Sequence, residues 1–289
     1  MANHLGLRAA LISLLIFLLF LASWHFATLP PTTTSAATVA PQTQQDEDYA
    51  KLMGKSKESE SKVTGFPNPA QMGLAMRKHL SDPFYDNGPN DKGIGIQLGY
   101  SLARVGLGFL IAALVAIPLG FVLGMSPLMQ RALNPFIQIL KPISPLAWMP
   151  LALYTIKDSS ISGVFVIFIC SIWPMLLNTS FGVAAVRREW INVARTLEVS
   201  ALRKALLVIL PAAAPTILTG MRISMGIAWL VIVAAEMLVG GTGIGYFVWN
   251  EWNNLSLTSV MFAILLIGVV GMLLDLIFAH LQKIVSYVD

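Results

Sequence analysis

Lys141, Arg222, Glu236 and Asp275 stand out as ionisable side chains within long apolar runs of this sequence. A charge in such a run is expensive unless it is paired or hydrated, so each is a candidate for handling a polar solute. Lys141 and Arg222 offer attraction to a small anion, whereas Glu236 repels one unless it is paired. Lys141, Arg222 and Glu236 are therefore the candidate residues of a translocation path. The competing reading is that Arg222, Asp275 and Glu236 lock helices together, or that long side chains reach the interface along their apolar stems.

Other chemistry finds no support. His4, His25, His79 and His280 have no paired metal-ligand spacing, and no Ser–His–Asp or Cys–His constellation is present. The single cysteine, Cys170, cannot form an intrachain disulfide, a redox pair or a cluster, and reads as a small buried apolar residue. The glycines Gly240, Gly241, Gly243 and Gly245 are not followed by Lys-Ser/Thr, so they do not form a phosphate loop. They read as a close-packed outer turn facing a partner. The expectation is a chain without catalytic residues, metal or cofactor of its own.

The elements that must position these residues follow from composition. The chain has 289 residues, 56% hydrophobic and 12% charged, with mean hydropathy +0.71. Soluble domains carry about 25% charged residues, so this chain has too little polar material to cover a soluble surface. The net charge of +4 forms no basic stripe with interleaved aromatics, which excludes nucleic-acid binding as a leading role.

A membrane crossing needs about 20 mainly apolar residues. Six runs qualify, at about 9–29, 101–123, 133–154, 163–185, 217–239 and 260–281. The first follows Arg8 and reads as an uncleaved anchor, with a cleaved signal peptide as the alternative. Prolines crowd the third and predict a kink or break near Pro145. Residues 30–45 are rich in Pro, Thr, Ala and Gln, and 46–62 are highly charged, so that stretch is expected to be disordered or loosely helical. Residues 66–92 read as an ordered cap, with turns near Asn87 and Asn90 and a short helix around 71–80.

Lys and Arg in the short loops gather on one side. Arg131 and the group Arg187, Arg188, Arg195, Arg203 and Lys204 oppose loops with only Lys157 or with none. This bias places both termini in the cytoplasm. Trp249 and Trp252 then fit interfacial anchors on the outer face.

The loop 187–211 is unusual. Asn192 is placed to cap or begin a helix with apolar positions at Val193, Leu197 and around Leu202. Pro211 and Pro215 are expected to break the chain and redirect it into the fifth span. Such a helix could dock in a groove of a cytosolic partner. It could equally lie in the interface, anchored by Trp190 and its arginines.

This stretch resembles the EAA loop of ABC importer permeases: Glu-Ala-Ala, three residues, Gly, nine residues, Ile, any residue, Leu-Pro. Asn192, Val193 and Ala194 occupy the first three places, followed by Arg195. Val208 takes the Ile place, and Leu210 and Pro211 match outright. Glu198 stands where the family has Gly, so the turn that Gly allows must be made by a residue with a Cβ. Across about residues 65–285, SLARVGLGFLIAALVAIPLG, PISPLAWMPLAL, VFVIFICSIWPMLLNT, GMRISMGIAWLVIVAAEML and GTGIGYFVW follow the order of permeases for small oxyanions. DPFYDNGPNDKGIG resembles the nitrate and bicarbonate branch in particular.

The resemblance implies an all-α membrane protein of six transmembrane helices, a type I importer permease with a cytoplasmic coupling helix in the bacterial inner membrane. It divides the chain into an N-terminal tail and first helix (1–29), a periplasmic segment (30–94), a five-helix core (95–285) with coupling loop 187–211, and a cytoplasmic tail (286–289). It implies a homodimer of permeases with two ATP-binding subunits and a periplasmic solute-binding protein, ATP being used by the partner subunit. Nitrate is the expected substrate; nitrite, cyanate, bicarbonate, an alkanesulfonate or taurine are alternatives. A secondary transporter would need paired repeats or facing broken helices at the midplane. A membrane-bound enzyme or sensor would need a catalytic cluster or an output domain.

Overall fold

The computed structural model describes residues 2–28, 66–88 and 91–285. The expectations for 30–62, for Pro89–Asn90 and for the tail 286–289 lie outside the described residues. The described elements are α1 (Ala2–Ala27), α2 (Pro69–Ser81), α3 (Ile94–Met125), α4 (Pro127–Leu140), α5 (Trp148–Ile156), α6 (Ser159–Ala184), α7 (Arg188–Thr196), α8 (Ala201–Lys204), α9 (Leu210–Val239), α10 (Ile244–Asn253) and α11 (Leu257–Val285). Among the described residues, five helices are long and apolar enough to cross a membrane, or six if one bent pair counts as a crossing.

That pair is α4 with the segment Pro145–Ile156, bent by 78°. The break falls in the Pro-Ile-Ser-Pro stretch where the sequence predicts it. Pro142 and Pro145 each lack a backbone N–H, and each disfavours helix in the residue before it.

The chain divides into two compact units, residues 1–78 with 257–259 and residues 79–256 with 260–289. In the first, α1 exposes apolar side chains such as Leu11, Phe17 and Phe20. Trp24 Nε1 donates to Pro67 O at 3.0 Å, and its ring meets Phe66 edge-on. The start of α2 is closed by a reciprocal cap. Gln71 N donates to Asn68 Oδ1 at 2.8 Å, and Asn68 N to Gln71 Oε1 at 2.9 Å, which satisfies two otherwise free helix donors.

In the second unit, residues 83–88 and 91–95 form a hook before α3. Gly93 N donates to Tyr85 O and Gly95 N to Pro83 O, each at 2.7 Å. A Cβ at Gly93 would lie 2.3 Å from Pro83 O, so only glycine fits this approach. The Lys92–Asp86 ion pair at 2.8 Å holds the Asp86 carboxyl below and the Lys92 ammonium above their ordinary ranges. Burial, aided by a hydrogen bond with Asp91, pushes the Tyr85 phenol up to about 12.

The core of this unit is α3, α6 and α9. Lipid tails supply no hydrophobic drive between helices, so close backbone approach and internal hydrogen bonds must hold them. A Cβ at Gly120 of α3 would stand 2.5 Å from Thr179 Cβ of α6, and one at Gly220 of α9 would stand 2.6 Å from Asn178 Cβ. Ser224 Oγ donates to Ser171 O at 2.7 Å between α9 and α6. The helix α11 is fastened to α9 by Trp229 Nε1 donating to Ile267 O at 3.0 Å and Gln282 Nε2 to Thr219 Oγ1 at 2.9 Å. Cys170 is buried in an apolar cluster with Met149, Val166 and Val231, as its setting predicts.

Two local expectations are corrected. Asn192 neither caps nor begins a helix: α7 starts at Arg188, and Asn192 lies in its interior. Pro211 and Pro215 do not turn the chain. Helix runs from Ala201 through a π-helical turn, Ala205–Ile209, into α9. The wider turn just before Pro211 accommodates a residue with no N–H to donate, so the helix continues where a regular one would kink. The candidate span Ala201–Val239 has 39 residues. It is about 58 Å long, roughly twice the hydrocarbon thickness, so its N-terminal end extends past the bilayer.

Candidate functional site

The chain turns instead at the end of α7. Val199 N donates to Ala194 O and Glu198 N to Arg195 O, each at 3.0 Å. Glu198 has φ +52°. These two bonds and the left-handed residue form the Schellman helix stop, which usually takes glycine. Glu198 thus makes the turn for which the EAA pattern reserves Gly.

That turn gives α7 two distinct faces. Ala194 is buried, while Trp190, Val193, Leu197 and Leu202 are exposed. The Arg187 guanidinium lies 5.6 Å from the centre of the Trp190 ring. Arg195 is exposed, whereas Val208 is half-buried beside Ile209, which packs in a cluster with Val183, Val186, Ala213 and Ile217. Leu210 and Pro211 begin α9. The loop is therefore rooted in the bundle at 208–213 and open at 190–202. An apolar face held on a short helix by a fixed turn is suited to filling a groove on another protein.

Glu236 lies near the outer end of α9 and is buried. It accepts from Ser101 Oγ at 2.8 and 2.9 Å, from Arg104 Nη1 at 2.7 Å and from Gly245 N at 3.1 Å. Arg104 also donates through Nη1 to Thr242 O and through Nε to Ser160 Oγ. Ser101 Oγ in turn accepts from Ile244 N at 2.9 Å. The network ties α3 and α6 to the turn between α9 and α10. It accounts for two of the four glycines: a Cβ at Gly243 would sit 2.2 Å from the Glu236 carboxyl carbon, and one at Gly245 would sit 2.9 Å from Glu236 Cβ. Gly240 and Gly241 instead have φ +78° and +92°, a backbone conformation that favours glycine.

Arg104 is missing from the four span charges singled out by sequence. It meets the same criterion, a charge inside the apolar run 101–123, and that criterion applied to every run finds it. Its charge neutralises Glu236, which the sequence reading required of any anion path.

Arg222 of α9 and Asp275 of α11 form a two-toothed pair: Nε to Oδ1 and Nη2 to Oδ2, both 2.5 Å. Lys141 caps the C-terminal end of α4 at the break and is exposed. The structure thus separates the path candidates, with Glu236 in the buried outer network, Arg222 in an open ion pair, and Lys141 at the broken span.

Among the described residues, no group of three or more His, Cys, Asp or Glu side chains could hold a metal ion.

Residues 116–287 match the family described as binding-protein-dependent transport system inner membrane component. The nitrate import permease protein NrtB of Synechocystis sp. is 44% identical over 77% of this chain and 81% of its own length. The bicarbonate transport system permease protein CmpB of the same organism is 42% identical over 73% of this chain and 75% of its own. Among solved structures, the inward-facing MetNI methionine ABC transporter has a chain that superposes with TM-score 0.59 at 13% identity, covering 65% of this chain and 94% of that one. That likeness concerns the fold.

Proposed function

The chain belongs to the family of inner membrane components of binding-protein-dependent transport systems, and on that premise we propose that it carries nitrate inward as the permease of an ATP-driven importer. As a member of this family it is a multi-pass inner membrane protein, a transporter rather than an enzyme. The observation that carries the mechanism is the loop ending at Glu198: a short helix, stopped by a fixed turn, with an exposed apolar face and a root in α9. Two copies around a common path would each dock α7 in one ATP-binding subunit. Closure of those subunits on ATP would move α7, and the continuous helix from Ala201 to Val239 would carry the push to the bundle. The path would then open outward to an anion delivered by a solute-binding protein.

Nitrate is supported by the 44% identity to a nitrate import permease and by the hook DPFYDNGPNDKGIG. The similar bicarbonate permease supports bicarbonate as the second reading. The deciding experiment reconstitutes the permease with its ATP-binding and binding-protein partners in vesicles. ATP-dependent nitrate uptake is expected, and charge reversal across 192–198 should abolish ATPase association while the chain remains inserted. Full uptake by that variant with the ATPase still bound would overturn the coupling role. Uptake that survives ATP depletion and follows the proton gradient would mean a secondary transporter.

A further inference from the structure

The Arg222–Asp275 pair lies at nearly one depth on two neighbouring helices. Arg222 is about 26 Å along α9 from Val239, and Asp275 about 27 Å along α11 from Leu257, at the helical rise. Toward the cytoplasm, Leu276, Ile277 and Phe278 follow Asp275 before the next polar residue, His280. Asp275 is thus flanked by apolar sequence on both sides along α11.

Despite this setting the pair is open. The side chains of Arg222 and Asp275 are 37% and 50% exposed on the single chain. They share a cleft with Met225, Gly226, Trp229 and Gly271. Gly226 lies one turn outward from Arg222, and an added Cβ there would meet nothing within 4 Å. Hydrocarbon disfavours two exposed charges, so this face is turned toward the bundle interior or a water-filled cavity rather than toward lipid. Gln282 and Thr219, hydrogen-bonded at 2.9 Å on the same two helices, continue the polar character inward.

The geometry of the pair says what the cavity accepts. A guanidinium edge matches two oxygens of a planar anion, and Asp275 supplies two such oxygens. Nitrate and bicarbonate present the same planar pair of oxygens. A spherical anion makes no matched two-point contact.

We propose that Arg222 is the binding group for the permeating anion, a small planar oxyanion, and that Asp275 is its built-in competitor. In the empty path Asp275 occupies the guanidinium. An arriving oxyanion takes the same edge, with room beside Gly226. The displaced carboxylate then repels the anion and reclaims Arg222, which speeds release to the cytoplasm. Conduction needs a site that binds and lets go, and a resident competitor weakens net affinity without removing selectivity. A purely structural pair behaves differently: neutralising both members of an ion pair together is commonly harmless or stabilising.

The proposal rests on the oxyanion-import reading, and the test separates the two. The full importer is reconstituted in vesicles with wild-type permease, with Arg222→Gln/Asp275→Asn, or with Arg222→Lys. Assembly with the ATPase is checked by co-purification. The double variant is expected to assemble yet import nitrate at least about tenfold more slowly, a loss of transition-state binding near 1.4 kcal/mol or more. Arg222→Lys, which keeps the charge and loses the planar edge, is expected to assemble and lose rate in the same direction. The permease–ATPase complex carrying Asp275→Asn, titrated calorimetrically with sodium nitrate without the binding protein, is expected to bind about tenfold more tightly than wild type. Wild-type uptake by the double variant, or unchanged nitrate binding by Asp275→Asn, overturns the proposal. Failure of the double variant to assemble also overturns it, by making the pair a structural pin. Absence of nitrate uptake by the wild-type importer instead overturns the choice of nitrate.

Discussion

At the scale of single residues, the decisive fact is that four span charges are joined in two specific pairs. Arg104 and Glu236 are both largely buried, with side chains 13% and 4% exposed. Their pair is enclosed by Ser101, Thr242 and Gly245. Removing one member leaves the other charge buried and unpaired, a loss of roughly 3–5 kcal/mol. Arg104→Ala is therefore expected to lower the thermal unfolding midpoint of the detergent-purified protein sharply. Arg104→Met combined with Glu236→Gln should recover much of that loss, because no lone charge remains. An Arg104→Ala protein as stable as wild type would show that Glu236 is held by its neutral donors alone. The network sits at the outer end, and Arg222 and Asp275 lie deeper, so the two arginines have separable tasks.

At the scale of elements, the coupling loop depends on how α7 stops. A residue with a Cβ in the left-handed region is strained by about 1–2 kcal/mol, and glycine is not. Glu198→Gly is therefore expected to raise loop stability by about 1 kcal/mol, read as slower proteolysis at 197–200 in the purified protein. Uptake should be retained, since the turn is kept. Loss of uptake with unchanged proteolysis would mean that the Glu198 carboxylate itself contacts the ATPase. The next element is governed by Pro211. Sequence rules read proline as a break, but a π-helical turn before it keeps α8 and α9 one helix. A continuous helix transmits a displacement along its axis, whereas a bend at Pro211 would dissipate part of it. The break that does form, between α4 and α5, has two prolines three residues apart and no comparable wide turn to absorb them.

At the scale of the whole molecule, orientation ties these parts into a transporter, and it can be checked directly. The native cysteine, Cys170, is buried, so a new surface cysteine should report with little background. Lys157→Cys is expected to react with an impermeant maleimide from outside intact cells, and Arg203→Cys only after permeabilisation. The reverse pattern would invert the topology and detach the loop from ATP. The sequence alone located the apolar runs, set the expectation that the charged loop lies in the cytoplasm and marked the position where α7 must turn. Those properties are local: bilayer thickness sets the length of an apolar run, loop charge sets its direction, and one backbone conformation sets the stop at Glu198. Only the tertiary structure decided which charges are joined. Arg104 reaches Glu236 across 132 residues, and Arg222 reaches Asp275 across 53. Such pairs depend on which helix faces meet, and close packing at Gly120 and Gly220 sets those faces through contacts between distant segments.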